Sequence, residues 1–406
     1  NFLTLPKGDT TQRGRGRGLI VGNILSSTVY NTVQYISIQS MGNAIDFGDT
    51  STVIRNNGAL ASSTRALSAG GSTPSTVDTI DFFTIATASN ATDFGNLTAA
   101  KASPHPTGNQ TRGIWAGAYN YPAGVYTIDY VTIASTGNAA DFGDRLNSIH
   151  SSNRSQCNST TRGLITGGYV PSPGTMVNII EKLEIATTGS SVNFADMQKK
   201  RYANAQHSSQ TRGLFMGGYV TPAYDSQIDY FTMATQQDAI DFGDVDVNTG
   251  YNAGGGNTTR ALLLGGVNMV STVKGVTIST LGNTQDFGTL TNARQAAPGG
   301  CSNSTKVLVA GGNLSPSNSK TGNIESYTTA SNGTATSFGT LTASRSYGLG
   351  GCGDHVRATF GGGYTPTQVD IIDYVQFSTG GTALDFGDLQ SVKRGCTPVS
   401  NGHGGL

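Results

Sequence analysis

The residues equipped for chemistry are few and regularly spaced. Eight basic residues each open a short apolar segment closed by glycine: Arg17, Arg65, Arg112, Arg162, Arg212, Arg260, Lys306 and Arg357. Six aspartates head an Asp-Phe-Gly tripeptide, at Asp46, Asp93, Asp141, Asp241, Asp286 and Asp385. If the copies are equivalent, each set forms a ring, and a ring of one charge could bind ions or a ligand. The plainer expectation is structural. Each base would bond a nearby aspartate or strand-end carbonyls and so lock one copy to the next, because a residue needed in every copy serves folding.

Catalytic sets do not assemble from the remainder. Of the five histidines (His105, His150, His207, His355, His403), none forms a His-x-x-x-His pair or sits in a nucleophile motif. Cys157, Cys301 and Cys352 lie five residues before a strand-opening base, and His207 shares their phase. A metal site lining a central channel is conceivable there. A small apolar group at a tight position explains the cysteines more simply, and same-phase cysteines in different copies stand too far apart for a disulfide. Asp-Phe-Gly occurs in the kinase magnesium loop, but no phosphate loop or catalytic loop accompanies it here. Gly14 to Gly18 leads into a strand rather than a helix N-terminus, against phosphate binding. No enzyme, cofactor or metal is expected.

The elements that position these residues are repeats. Asp-Phe-Gly survives in altered form as Asn193-Phe194-Ala195 and Ser337-Phe338-Gly339, making eight copies about 48 residues apart between Asp46 and Asp385. Each copy holds four strand-length pieces: an apolar piece ending in glycine, an Ile-Asp-Tyr piece, the Asp-Phe-Gly piece after a Gly/Asn turn, and a polar Ser/Gly-rich piece. Composition agrees. Of 406 residues, 56 are glycine and only 12% are charged, which favours strands and tight turns over helices. The spacing predicts one all-β domain, an eight-bladed β-propeller over 17–402 with four antiparallel strands per blade, preceded by an entry segment, 1–16. The first copy lacks a fourth-type strand at its start, so the piece Cys396–Gly402 is expected to complete the first blade and close the ring.

The pattern resembles the kelch repeat. Gly167-Gly168, Gly217-Gly218, Gly265-Gly266, Gly311-Gly312 and Gly361-Gly362 carry the double glycine, Tyr130, Tyr230 and Tyr374 the kelch tyrosine, and Phe142, Phe242 and Phe386 replace its tryptophan. The wording of the repeat (Thr-Arg-Gly, Gly-Gly-Tyr, Ile-Asp-Tyr, Asp-Phe-Gly-Asp) also resembles repeat proteins of marine tailed bacteriophages, generally virion- or fibre-associated. That resemblance implies a non-enzymatic virion protein of the tail or fibre, in an extracellular particle, that recognises a host cell-surface glycan or protein or binds other virion proteins. The alternative is a secreted or cell-surface bacterial adhesin or lectin.

Zero formal net charge offers no electrostatic case for nucleic acid. No apolar run is long enough to expect membrane insertion. Binding is expected instead from rim loops rich in tyrosine, which gives contact area at low entropic cost: Tyr119, Tyr121, Tyr126, Tyr169, Tyr219, Tyr224 and Tyr364. Tyr121, Tyr126 and Tyr224 break the repeat phrase and are the best candidates, while a Tyr after Gly-Gly could instead pack on its neighbouring blade. Copy four is the most charged, with Glu181, Lys182, Glu184, Asp196, Lys199, Lys200 and Arg201. It could dock a neighbouring subunit or be a tolerated insertion, and Asp196 to Ala205 could form a helical turn. At least nine Asn-x-Ser/Thr triplets, Asn90, Asn96, Asn158, Asn257 and Asn332 among them, are expected from composition alone. The chain starts at Asn1 without initiator Met or signal peptide, as expected of a processed product or a piece of a longer one.

Overall fold

In the computed structural model the residues described are 17–400, apart from 26–27, 38–42, 63, 121–122, 148–156, 159–160, 171–173, 203, 210, 233, 251–252, 258, 268–270, 296–298, 304, 315–316, 318, 332, 334, 347–349, 354–355 and 394–397. The entry segment 1–16 and Tyr121 therefore lie outside the described residues.

Each repeat becomes an antiparallel sheet of four strands. The fifth shows the plan: Ala205–Ser208, Arg212–Val220, Ala223–Thr232 and Ile240–Thr249 lie side by side in that order. The described residues contain eight such sheets, numbered here in chain order, and two short two-stranded ribbons. The second strands open at the repeated base, as in Arg65–Ala69, Arg112–Asn120, Arg162–Val170, Arg260–Leu264, Lys306–Ala310 and Arg357–Gly361. The first sheet draws on both ends of the chain. Pro398–Ser400 pairs antiparallel with Arg17–Leu25, matching Leu19 with Val399. No α-helix is present among the described residues, and the architecture is β-propeller-like. The helical turn expected after Asp196 is not formed. That segment bends and then bridges Tyr202 to Tyr219, because its backbone pairs with the next hairpin.

Packing follows from the phenylalanine of each Asp-Phe-Gly. Phe47 packs with Phe83, Phe94 with Val131, Phe142 with Leu183 and Phe194 with Phe231, so each reaches into the following sheet. Phe386 of the eighth sheet packs with Ala44, at the start of the first sheet's last strand. Burying one such ring contributes about 2–3 kcal/mol, and here each ring couples two repeats.

The glycine after that phenylalanine is needed by the same approach. Gly95 has φ +140°, and a Cβ there would collide with the backbone of Gly137 in the next repeat, where the Gly137 N–H donates to Phe94 O at 2.7 Å. Beside it Ala139 N–H donates to Asn96 O at 2.8 Å, and Asn96 N–H donates to the Asn138 side chain at 3.0 Å. The same clasp joins Asp49 to Asn90 and Ala91, Asp244 to Asn283 and Thr284, and Asp388 of the eighth sheet to Asn43 and Ala44 of the first. The double glycines turn the chain through left-handed conformations. In the eighth sheet the pair is Gly362 (φ 66°) and Gly363 (φ 113°), not Gly361-Gly362, because Gly361 still belongs to the strand.

Candidate functional site

The strand-opening bases do not point into a shared cavity. Arg65, Arg112 and Arg212 each lie over a ring of the neighbouring third strand and donate to a carbonyl of the following sheet, and Arg260 does so from over Phe287 of the fourth strand. Arg112 sits 4.9 Å from the Tyr130 centroid and donates to Ile185 O at 2.9 Å; Arg212 sits 4.8 Å from Tyr230 and donates to Ile278 O at 2.9 Å. Arg65 reaches Ile133 O, Arg162 Ala234 O, Arg260 Thr329 O and Lys306 Phe377 O in the same way. Arg357 lies 5.1 Å from the Tyr374 centroid, and the Arg17 side chain is outside the described set. A second ring completes the stack, since Tyr130 meets Phe142 edge-on at 5.7 Å and Tyr230 meets Phe242 at 5.8 Å.

The Asp-Phe-Gly aspartates serve their own turns. Asp46, Asp93, Asp141, Asp241, Asp286 and Asp385 each accept from the glycine N–H two residues on, at 2.9–3.4 Å. The expected structural lock is therefore carried by base and carbonyl. Several of the Asn-x-Thr triplets have a local function too. Asn109 and Asn257 accept from the following Thr and from the strand-opening Arg N–H, closing the turn between first and second strands.

A second charge set, missed in the residue pattern, is buried between the repeats. The acidic residue of the Ile-Asp-Tyr strand points inward, and a cation from the segment preceding its sheet meets it there. Lys101 pairs with Asp129, Arg145 with Glu181 (Nη2 to Oε1 3.0 Å), Arg201 with Asp229, Arg294 with Glu325, and Arg345 with Asp373 (2.6 Å). These side chains are all but inaccessible to solvent. In the sixth sheet the polarity reverses, and Lys274 stands at the acid's position with Asp246 as its partner. The cations also tie down backbone: Arg201 donates to Gly217 O (3.1 Å) and Gln227 O (2.7 Å), Arg294 to Gly311 O (2.9 Å) and Asn323 O (3.2 Å). Burial pushes Asp229 and Asp373 above the usual carboxylate value against the pull of their arginines, and lowers Lys101 despite Asp129 beside it. The legible signal was the swap itself, since acid and cation exchange places in one copy of the repeat.

Copy four's extra charges are drawn into these and nearby pairs. Besides Glu181 and Arg201, Glu184 pairs with Arg162 and Lys182, and Lys199 with Asp225.

The tyrosines divide by position. Tyr119, Tyr126, Tyr169, Tyr219 and Tyr224 were expected on loops; all five lie instead in strands, because the second and third strands of those sheets continue past the glycine as long hairpins. Tyr219 stands opposite Tyr224, with ring centroids 5.3 Å apart, and Tyr202 from the crossover segment adds a third ring 5.3 Å from Tyr219. Tyr126 is 48% exposed. Tyr364 packs under Lys320 of the preceding sheet, whose ammonium is 5.0 Å from the ring centroid, as expected for a tyrosine held by its neighbour. The side chains of Tyr119 and Tyr169 are outside the described set.

On the inner strands Cys301 is buried, and His207 Nε2 meets Asn257 O at 3.0 Å. Burial holds that imidazole below its usual value. Among the described residues no three His, Cys, Asp or Glu side chains converge to hold a metal. No helix of the described chain is long and apolar enough to cross a membrane. No protein-family model matches the chain, and no curated protein matches it.

Proposed function

We propose that the chain closes into an eight-bladed, kelch-like β-propeller that acts as a non-enzymatic binding module of a bacteriophage virion, tail- or fibre-associated, holding a host surface or a neighbouring virion protein at its hairpin end. Closure is supported by the clasp from Asp388 to Asn43 and Ala44, which repeats between the eighth and first sheets the bonds that join the other sheets. The pairing of Leu19 with Val399 supports it too. The virion assignment is supported by the resemblance of the repeat wording to marine phage proteins.

The observation that carries the binding reading is the pair Tyr219 and Tyr224, joined by Tyr202 of the crossover segment, on a hairpin that outgrows its counterparts in the second, sixth, seventh and eighth sheets. The repeating charges are consumed inside the frame, whereas this end varies from copy to copy. Stacked, half-buried tyrosines suit glycan rings and protein side chains alike.

Immunogold labelling of purified particles and of host cells tests the setting. Gold at a fixed site on virions supports the virion protein, whereas gold on cell envelopes beside bare virions makes it a cellular adhesin or lectin. For the site, Tyr219→Ser and Tyr224→Ser should each weaken retention on host-cell surface material at least tenfold without lowering the melting temperature by more than a few degrees. Retention at the wild-type level would sink the choice of residues.

A further inference from the structure

Among the described residues, no cation is shown to meet the buried acid of the second sheet. In the second sheet Asp81 stands where Asp129, Asp229 and Asp373 stand in theirs, and it is 4% exposed. Ile54 falls at the place of the cation, eight residues after Asp46 as Lys101 is after Asp93 and Arg294 after Asp286. Its side chain lies against Gly71, as the aliphatic part of Arg345 lies against Gly363. Ile54 brings no charge. The Asp81 carboxylate accepts from Ser51 N–H through Oδ2, at 2.9 Å, and its buried Oδ1 has no hydrogen-bond partner among the described residues. Thr52, adjoining Ser51, likewise buries a hydroxyl oxygen without a partner among the described residues.

The third sheet shows what this oxygen set accepts. There the Lys101 ammonium is held by Asp129, by Thr127 O at 3.0 Å and by Thr127 Oγ1 at 2.9 Å. In the second sheet Thr79 occupies the register of Thr127, two residues before the acid, and pairs with Asn96 as Thr127 pairs with Asp144. By register the second sheet offers the same carbonyl, hydroxyl and carboxylate, the Thr79 carbonyl also accepting from Gly70 N–H at 3.0 Å, and among the described residues no side-chain nitrogen is shown to meet them. Asp93, directly across the strand pair from Asp81, adds negative potential, while Arg55 beyond Ile54 is turned to the surface. Burial raises Asp81 above its usual value against the hydrogen bonds from Ser51, and Asp93 adds to the rise.

We infer that Asp81, Thr79 O and Thr79 Oγ1 form a site for a monovalent cation of ammonium size, potassium or its equivalent, replacing the lysine or arginine that other repeats supply. The ion adds to the Ser51 bond between the first sheet's exit segment and the second sheet, and neutralises a buried carboxylate that no described cation is shown to meet.

Two measurements on the whole protein test this. In crystals grown in rubidium chloride, anomalous scattering should place a rubidium ion on Asp81 Oδ1, and none in Ile54→Lys. In solution at pH 8 and constant ionic strength, replacing choline chloride by potassium chloride should raise the wild-type melting temperature by about 1–3 °C. Asp81→Asn should lose that shift, and Ile54→Lys should lose it while melting higher in choline. A crystal without rubidium at Asp81 overturns the proposal and leaves Asp81 a neutral acid. So does an equal potassium shift in wild type and Asp81→Asn. The crystal measurement uses the unmodified chain, so the proposal remains testable if a variant fails to fold.

Discussion

Arg212 does two things with one guanidinium: it covers the Tyr230 ring and donates to Ile278 O in the next sheet. Neither needs a ligand. Removing it with Arg212→Ala loses a charge-assisted hydrogen bond and a cation–π contact, together about 2 kcal/mol. The melting temperature should fall while surface binding is kept; unchanged thermal stability would contradict the structural assignment. Arg212→Lys should retain most of the stability, because Lys306 fills the same role in the seventh sheet, with Nζ 2.6 Å from Phe377 O and 5.5 Å from the Phe338 ring. That the bases recur as one set was legible in the repeat, and six of them are seen to donate to a carbonyl of the next sheet. Their acceptors were not, because a backbone carbonyl about seventy residues away carries no side-chain signature.

At the scale of the element, the crossover segments and the third strands are joined by buried ion pairs. Arg345 donates to Ile371 O at 2.7 Å and Phe360 O at 3.1 Å as well as to Asp373, so it fixes the segment against both strands of the hairpin. Desolvation offsets most of the Coulomb attraction in such a pair, as the raised Asp373 indicates. Removing one partner is a different matter. Arg345→Met should cost about 3–5 kcal/mol, and adding Asp373→Leu should recover much of it. Denaturant unfolding of the two variants decides; an equal loss in both would mean that the backbone bonds of Arg345, not its charge pairing, hold the segment. The strands themselves were legible from their apolar and glycine spacing. Which polar residue turned inward was not, since Ile-Asp-Tyr reads equally well with its acid in solvent.

Across the whole molecule the first strand of the first sheet is covered by the last described strand, Pro398–Ser400. Gly18, Leu19 and Ile20 face Ser400, Val399 and Pro398. Truncation after Lys393 leaves that edge open to a second molecule. It should lower the melting temperature and produce concentration-dependent oligomers by light scattering; a monomer as stable as the full chain would rule out the C-terminal strand as a latch. The strand exchange was foreseen from the missing piece of the first copy, and the pairing partners now have residue numbers.

By itself the sequence determined the repeat, its strand order and its all-β class, because these rest on local periodicity, turn residues and composition, all readable within one copy. Tertiary structure decided everything that passes between copies: carbonyls for the bases, cations for the inward acids, asparagines as clasps rather than accidents of composition. It also left Asp81 a described, buried acid that no described cation is shown to meet. Such contacts join residues tens of positions apart, and they are selected by burial, which no period in the chain encodes.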